Sequence, residues 1–166
     1  MLGSKGVVYE RLVVRDAILV NGRGTPPYGP VDILIEDGRI ADIVNVDAIS
    51  LNRYKPKRPT GDRVIDAEGM YVLPGLVDMH VHVNIDDEKC GPEGAQYAYN
   101  LCLAHGITTI RTCGFGTDEK LLEHRRLSEE NQITAPHLKV LGSWPAEVTT
   151  PEEARGAVHR FKEMGV

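Results

Sequence analysis

"LVDMHVHVN", residues 76–84, sets three polar side chains, Asp78, His80 and His82, at alternate positions of an otherwise apolar, β-branched run. On a strand, side chains at i, i+2 and i+4 point to one face, so these three share a side while Val77, Met79, Val81 and Val83 take the other. Histidines two apart on a strand place their Cβ atoms roughly 6.7 Å apart, and two imidazole nitrogens can then converge on one divalent cation at about 2.1 Å each. The pair reads as a candidate site for zinc or a similar ion. The plainer alternative for two histidines near a strand end is hydrogen-bonded packing.

The chain from Leu76 onward gives the pair its setting. Strand and helix alternate three times: "LVDMHVH" then 93–105, "ITTIRT" then 118–131, "HLKVLG" then 151–164. That alternation predicts parallel βα units. The third helix is the best marked. Thr150 and Glu153 form a capping box, Pro151 takes the first helical position, Ala154, Ala157, Val158, Phe161 and Met164 make one apolar stripe, and Gly165 ends it. In parallel βα architectures reactive groups sit at the C-terminal ends of strands. His80 and His82 lie there, just before the loop "VNIDDEKCGPEG".

Upstream the chain is β in character. "ERLVVRDAILVNG" and "VDILIEDGRIADIV" alternate apolar and polar residues, and Asp37-Gly38 between Ile35 and Ile40 signals a tight hairpin. "VIDAEGMYVLPG" adds a further pair of strands around Glu68-Gly69, while "NRYKPKRPTGD", residues 52–62, reads as a polar excursion. Residues 1–73 are thus assigned to a small sheet domain and 74–166 to the βα units.

A length of 166 residues with 42% hydrophobic content suffices for a sizeable core. The net charge of −5 is spread among interspersed acids and bases, which leaves no basic face for nucleic acid and no polybasic patch for anionic lipid. No apolar stretch approaches the roughly 20 residues of a membrane span, and the lead Met1–Gly6 has no apolar core behind it; the expectation is a cytoplasmic protein. Cys90, Cys102 and Cys113 are odd in number and lack CxxC spacing, so they read as reduced, small buried hydrophobes.

"VLPGLVDMHVH" after a small β region, "GITTIRTCGFG" on the second strand, "ILIEDGRIADI" in the N-terminal sheet and "TPEEARGAVHRFKEMGV" in the third βα unit together resemble the amidohydrolase superfamily of metal-dependent hydrolases, in its prolidase-like and imidazolonepropionase-like branch. The resemblance implies an α/β chain: the first part of a (β/α)8 TIM barrel, preceded by the N-terminal part of a small β-sandwich, both incomplete here. It implies that His80 and His82 hold a divalent metal, most simply zinc, as one ion or two. Asp78 would support them inside the barrel mouth, or else bond a neighbouring strand as an ordinary internal polar residue. Where such enzymes often carry Asp after the Arg of the second strand, this chain has Thr112 after Arg111. Trp144, Asp86 and Asp87 fall in loops on the face where a barrel binds substrate; Trp144 is the candidate substrate contact, and the two acids read as solvated. Of the remaining histidines, His105 meets the last carbonyls of its helix, while His124, His137 and His159 read as surface residues.

A complete barrel needs about 250 residues, and a catalytic metal normally keeps three protein ligands and an open position. The family's later lysine, histidines and aspartate have no counterpart among these 166 residues. The expectation is therefore a metal-dependent hydrolase of amide-type C–N bonds in a cyclic amide, dipeptide or related small molecule, completed as a heteromer by a second polypeptide. A non-catalytic scaffold or regulatory subunit, or an inactive truncated fragment, is the alternative.

Overall fold

Parity along the strands and a few local caps account for most of the architecture. The computed structural model describes residues 6–83, 94–113, 118–142 and 148–166. These described residues form two compact units, residues 8–74 being one and the described residues outside that range the other.

The first unit is a five-stranded mixed sheet. Strands β1 (Arg11–Leu19), β2 (Tyr28–Glu36) and β3 (Arg39–Asn45) pair antiparallel in succession. Asp37 and Gly38, with φ of 49° and 71°, turn β2 into β3, the doubly left-handed turn whose twist suits a hairpin. Strand β4 (Arg63–Asp66) and the two-residue β5 (Tyr71–Val72) behave differently from the expected mutual pair. Both run parallel to β1, one after the other along the same edge. The turn at Glu68-Gly69, closed by Met70 N–H to Ala67 O at 2.9 Å, returns the chain to β1 and does not fold it back on β4. Helix α1 (Ala48–Tyr54) occupies part of the stretch read as an excursion; the Asp47 carboxylate caps it by accepting from the N–H groups of Ile49 and Ser50. One sheet face buries Ala17, Leu19, Val31, Ile33 and Ala67. Asp32 is also fully buried, and Arg58 answers it with Nε at 2.8 Å and a terminal nitrogen at 2.7 Å, the latter also reaching Asp16 at 2.7 Å.

The second unit holds the alternation predicted from the sequence: β6 (Leu76–Val81), α2 (Ala95–Ala104), β7 (Ile107–Thr112), α3 (Asp118–Glu129), β8 (His137–Val140) and α4 (Pro151–Met164). The strands are parallel in the order β6-β7-β8. Val83, Ala95, Tyr99, Ile110, Leu121, Ile133, Leu138 and Val140 make the core between sheet and helices. The Thr150–Glu153 capping box and the left-handed Gly165 are present on α4. Its apolar stripe is narrower than expected, since Ala157 is buried but Val158 is exposed. Close packing at the end of β8 depends on Gly142, where a Cβ would come within 2.6 Å of the Phe161 ring.

Candidate metal centre

Val81 packs against the core and Val83 lies inside it, so the alternating His80 and His82 project from the opposite face of the sheet. Their Nε2 atoms stand 3.1 Å apart, with ring centroids at 4.9 Å and ring planes at 70°. Two nitrogens bound to one divalent ion at about 2.1 Å stand roughly 3.0–3.4 Å apart for bond angles between octahedral and tetrahedral values. The donor set and its spacing therefore fit such an ion. Among the described residues, no group of three or more His, Cys, Asp or Glu is assembled around a common point.

Asp78 is not where simple alternation puts it. Asp78 pairs with Ile110 and Val81 with Thr112, so β6 carries one residue more than β7 over this interval, a β-bulge at Met79 and His80. The bulge shifts the parity. Asp78 shares the register of core-facing Ile110, and its charge acts on Cys102 of α2. Its Oδ1 accepts the backbone N–H of His80 at 3.0 Å, so what it holds is the bulged backbone that carries the first histidine.

The neighbouring strands continue the face on which the histidines lie. Ile110 and Leu138 pair with each other and are both buried in the core, which turns their neighbours Arg111 and Lys139, also paired, to the other side. Composition and motif spacing assign these two cations no role, although the parity of "ITTIRT" and "HLKV" shows their direction once Ile110 and Leu138 are placed in the core. Trp144, Asp86, Asp87 and Cys90 lie outside the described residues.

Among the other expected positions, His105 Nδ1 lies 2.8 Å from Leu101 O at the end of α2, as anticipated. His124 is a correction. It is on α3, but buried, with Nδ1 2.9 Å from the Tyr99 hydroxyl. Burial pushes the Tyr99 phenol up and the His124 imidazole down, so a protonated phenol meets a neutral ring. Cys102 is half-buried, and its thiol is raised first by burial and then by the Asp78 charge.

No family model matches the chain. An imidazolonepropionase of Salinispora arenicola is 36% identical over 104 residues, 60% of this chain and 24% of that protein. An adenine deaminase of Methanoculleus marisnigri is 35% identical over 137 residues, 77% of this chain and 21% of that protein. Among solved structures, an Xaa-Pro dipeptidase with bound methionine in its active site superposes with a TM-score of 0.72 at 19% identity, over 94% of this chain and 45% of that one. The chain thus spans a quarter or less of these curated relatives, and less than half of a solved chain that shares its fold. Two differently named enzymes align with one sequence that sets its histidine pair at the end of a parallel strand, and on these grounds the chain belongs to the amidohydrolase superfamily.

Proposed function

We propose that this chain supplies the first metal-binding strand of a hydrolase acting on amide-type C–N bonds, in a cyclic amide, a dipeptide or a related small molecule. The observation that carries the reading is the 3.1 Å approach of His80 and His82 Nε2, at the strand end where βα enzymes place their chemistry. The relatives named imidazolonepropionase and adenine deaminase support the reaction class. The architecture proposed around it is a (β/α)8 barrel and a β-sandwich, completed by polypeptide other than these 166 residues that contributes the remaining ligands and the proton-transfer groups.

His80 and His82 would hold a divalent ion of zinc type, as one ion or as the first of two. When bound there, such an ion supplies a water acidified towards neutral pH and a Lewis acid for the substrate carbonyl. The chain's own part is to bring two imidazole Nε2 atoms together, beside a strand bulge that is tied by Asp78. Neutral nitrogen donors suit a borderline-soft cation.

Elemental analysis of the purified native assembly tests this. About one zinc-like ion per chain or more is expected in the wild type, with most of it lost in His80→Ala and His82→Ala. Unchanged metal in both variants removes the assignment.

A further inference from the structure

We infer that Arg111, with Lys139 beside it, forms an anion-binding wall next to the histidine pair, and that the substrate carries a carboxylate near its scissile amide. This rests on the hydrolase proposal and names the class of molecule that site would take.

Three observations converge on Arg111. The first is direction, because Ile110, Leu138, Thr112 and Val140 are all buried, leaving Arg111 and Lys139 on the face that carries His80 and His82. The second is proximity. Arg111 lies between Ile110 and Thr112, whose partners on β6 are Asp78 and Val81, so it faces the bulged residues Met79 and His80 across one strand spacing of roughly 4.8 Å. Lys139 lies one strand further on, in register with Arg111.

The third observation is an unmet need. The Arg111 Nε is buried and has no hydrogen-bond partner among the described residues, and a buried guanidinium donor without an acceptor is costly. Strands β6, β7 and β8 contain a single carboxylate, Asp78, and it is in register with core-facing Ile110. Two cations therefore share this part of the face with no acid from the same strands to neutralise them. A planar fork of donors is the group that best matches a carboxylate. Arg111 is on this account a specificity-determining residue: it anchors the anionic end of a substrate whose amide carbonyl then lies over the histidine end of the sheet.

The test is calorimetric binding of N-acetylglycine and its neutral isostere N-acetylglycinamide to the metal-loaded native assembly. The wild type should prefer the carboxylate. Arg111→Met should weaken its binding about 10- to 100-fold, Lys139→Met less, and Arg111→Lys should retain part of it, all with wild-type metal content. Equal affinity for the two probes overturns the inference. So does carboxylate binding that Arg111→Met leaves unchanged, since the anion would then sit on the metal alone. Metal content separates the two readings: an assembly that binds no metal defeats the hydrolase proposal, whereas a metal-loaded one indifferent to the carboxylate defeats this one. Lys139 is exposed, so its variant remains informative if Arg111→Met fails to fold.

Discussion

Replacing Asp78 separates two effects that the structure assigns to one carboxylate. The first is the hydrogen bond from His80 N–H to Asp78 Oδ1 at 3.0 Å, which ties the bulge. A hydrogen bond to a charged acceptor contributes about 1.5–3 kcal/mol. Asp78 is partly exposed, so water takes over some of the role, and the lower end, about 1.5 kcal/mol, applies. If that energy goes into holding His80 in place, its loss in Asp78→Ala weakens metal binding roughly tenfold, since about 1.4 kcal/mol is a factor of ten. Asp78→Asn keeps an acceptor oxygen of the same shape and should lose only about two- to threefold, as a neutral acceptor is the weaker one. The second effect is charge. Asp78 helps burial raise the Cys102 thiol, so Asp78→Asn should speed alkylation of Cys102 at fixed pH even while metal binding is nearly normal. Competition against a chromophoric chelator measures the first effect, and mass-resolved alkylation the second. Metal affinity unchanged in Asp78→Ala, or lost equally in the Asn variant, refutes the account of the bulge; an unaltered Cys102 rate refutes the electrostatic part.

In the sheet unit, Arg58→Met leaves fully buried Asp32 without its forked partner; the expected cost is about 2–3 kcal/mol, below the roughly 3–5 kcal/mol of a wholly buried pair because Arg58 is itself one-third exposed. Hydrogen exchange of β1 and β2 amides reads this cost, and adding Asp32→Asn should recover much of it. Burial raises the Asp32 carboxyl, but hydrogen bonds and charge from Arg58 more than reverse this and hold it below its ordinary value. Its contribution to stability is therefore present above about pH 4 and lost as pH falls through the lowered value, and β1–β2 protection should decline over that range in the wild type more than in Asp32→Asn. Thr112 is fully buried and its hydroxyl has no partner among the described residues, so Thr112→Val should leave urea stability unchanged or raise it by up to about 1 kcal/mol; a clear loss would show that the hydroxyl is satisfied. For His124, burial lowers the imidazole, with Glu123 opposing and Lys120 assisting. The neutral ring stabilises the fold fully above about pH 6.5 and progressively less as pH falls through the lowered value, so amide protection in α2 and α3, corrected for the intrinsic exchange rate, should fall from about pH 7 to about pH 5 and change less in His124→Gln.

The readable part of this fold was the part written locally. The capping box at Thr150 and Glu153 and the Asp37-Gly38 turn each act within about four residues of chain, and they appear where the sequence put them. The βα rhythm was legible for a related reason, because periods of 2 and 3.6 separate strands from helices within one segment. Which strand pairs with which is set between segments. Strands β4 and β5 look from sequence like two arms of a hairpin, yet β1 takes both. His124 differs from its surface expectation for the same reason: nothing in "LLEHRRL" announces that Tyr99, 25 residues earlier, supplies the buried partner.

The candidate site shows the same division within a single strand. Alternation set His80 and His82 on one face, because that relation is local to the end of β6 and the extended residues that follow it. It failed at Asp78, because a bulge is a property of two strands in register: β6 carries one residue more than β7 between Asp78 and Val81, whereas between Leu76 and Val77 the extra residue is on β7. The failure has a chemical consequence. Without the bulge, Asp78 would join the histidines as a further oxygen donor on the same face; with it, the carboxylate is turned to the backbone and to Cys102, and the face keeps two imidazoles flanked by Arg111 and Lys139. One local slip of register thus turns a mixed acid and histidine strand into an imidazole pair with cations beside it, an arrangement suited to a metal and an anion together. On this face of the three strands His137 begins β8 in register with Thr109 and, through it, with Val77, short of the histidine end of β6, while Arg111 and Lys139 are cations; a third donor on the metal would then come from outside β6, β7 and β8.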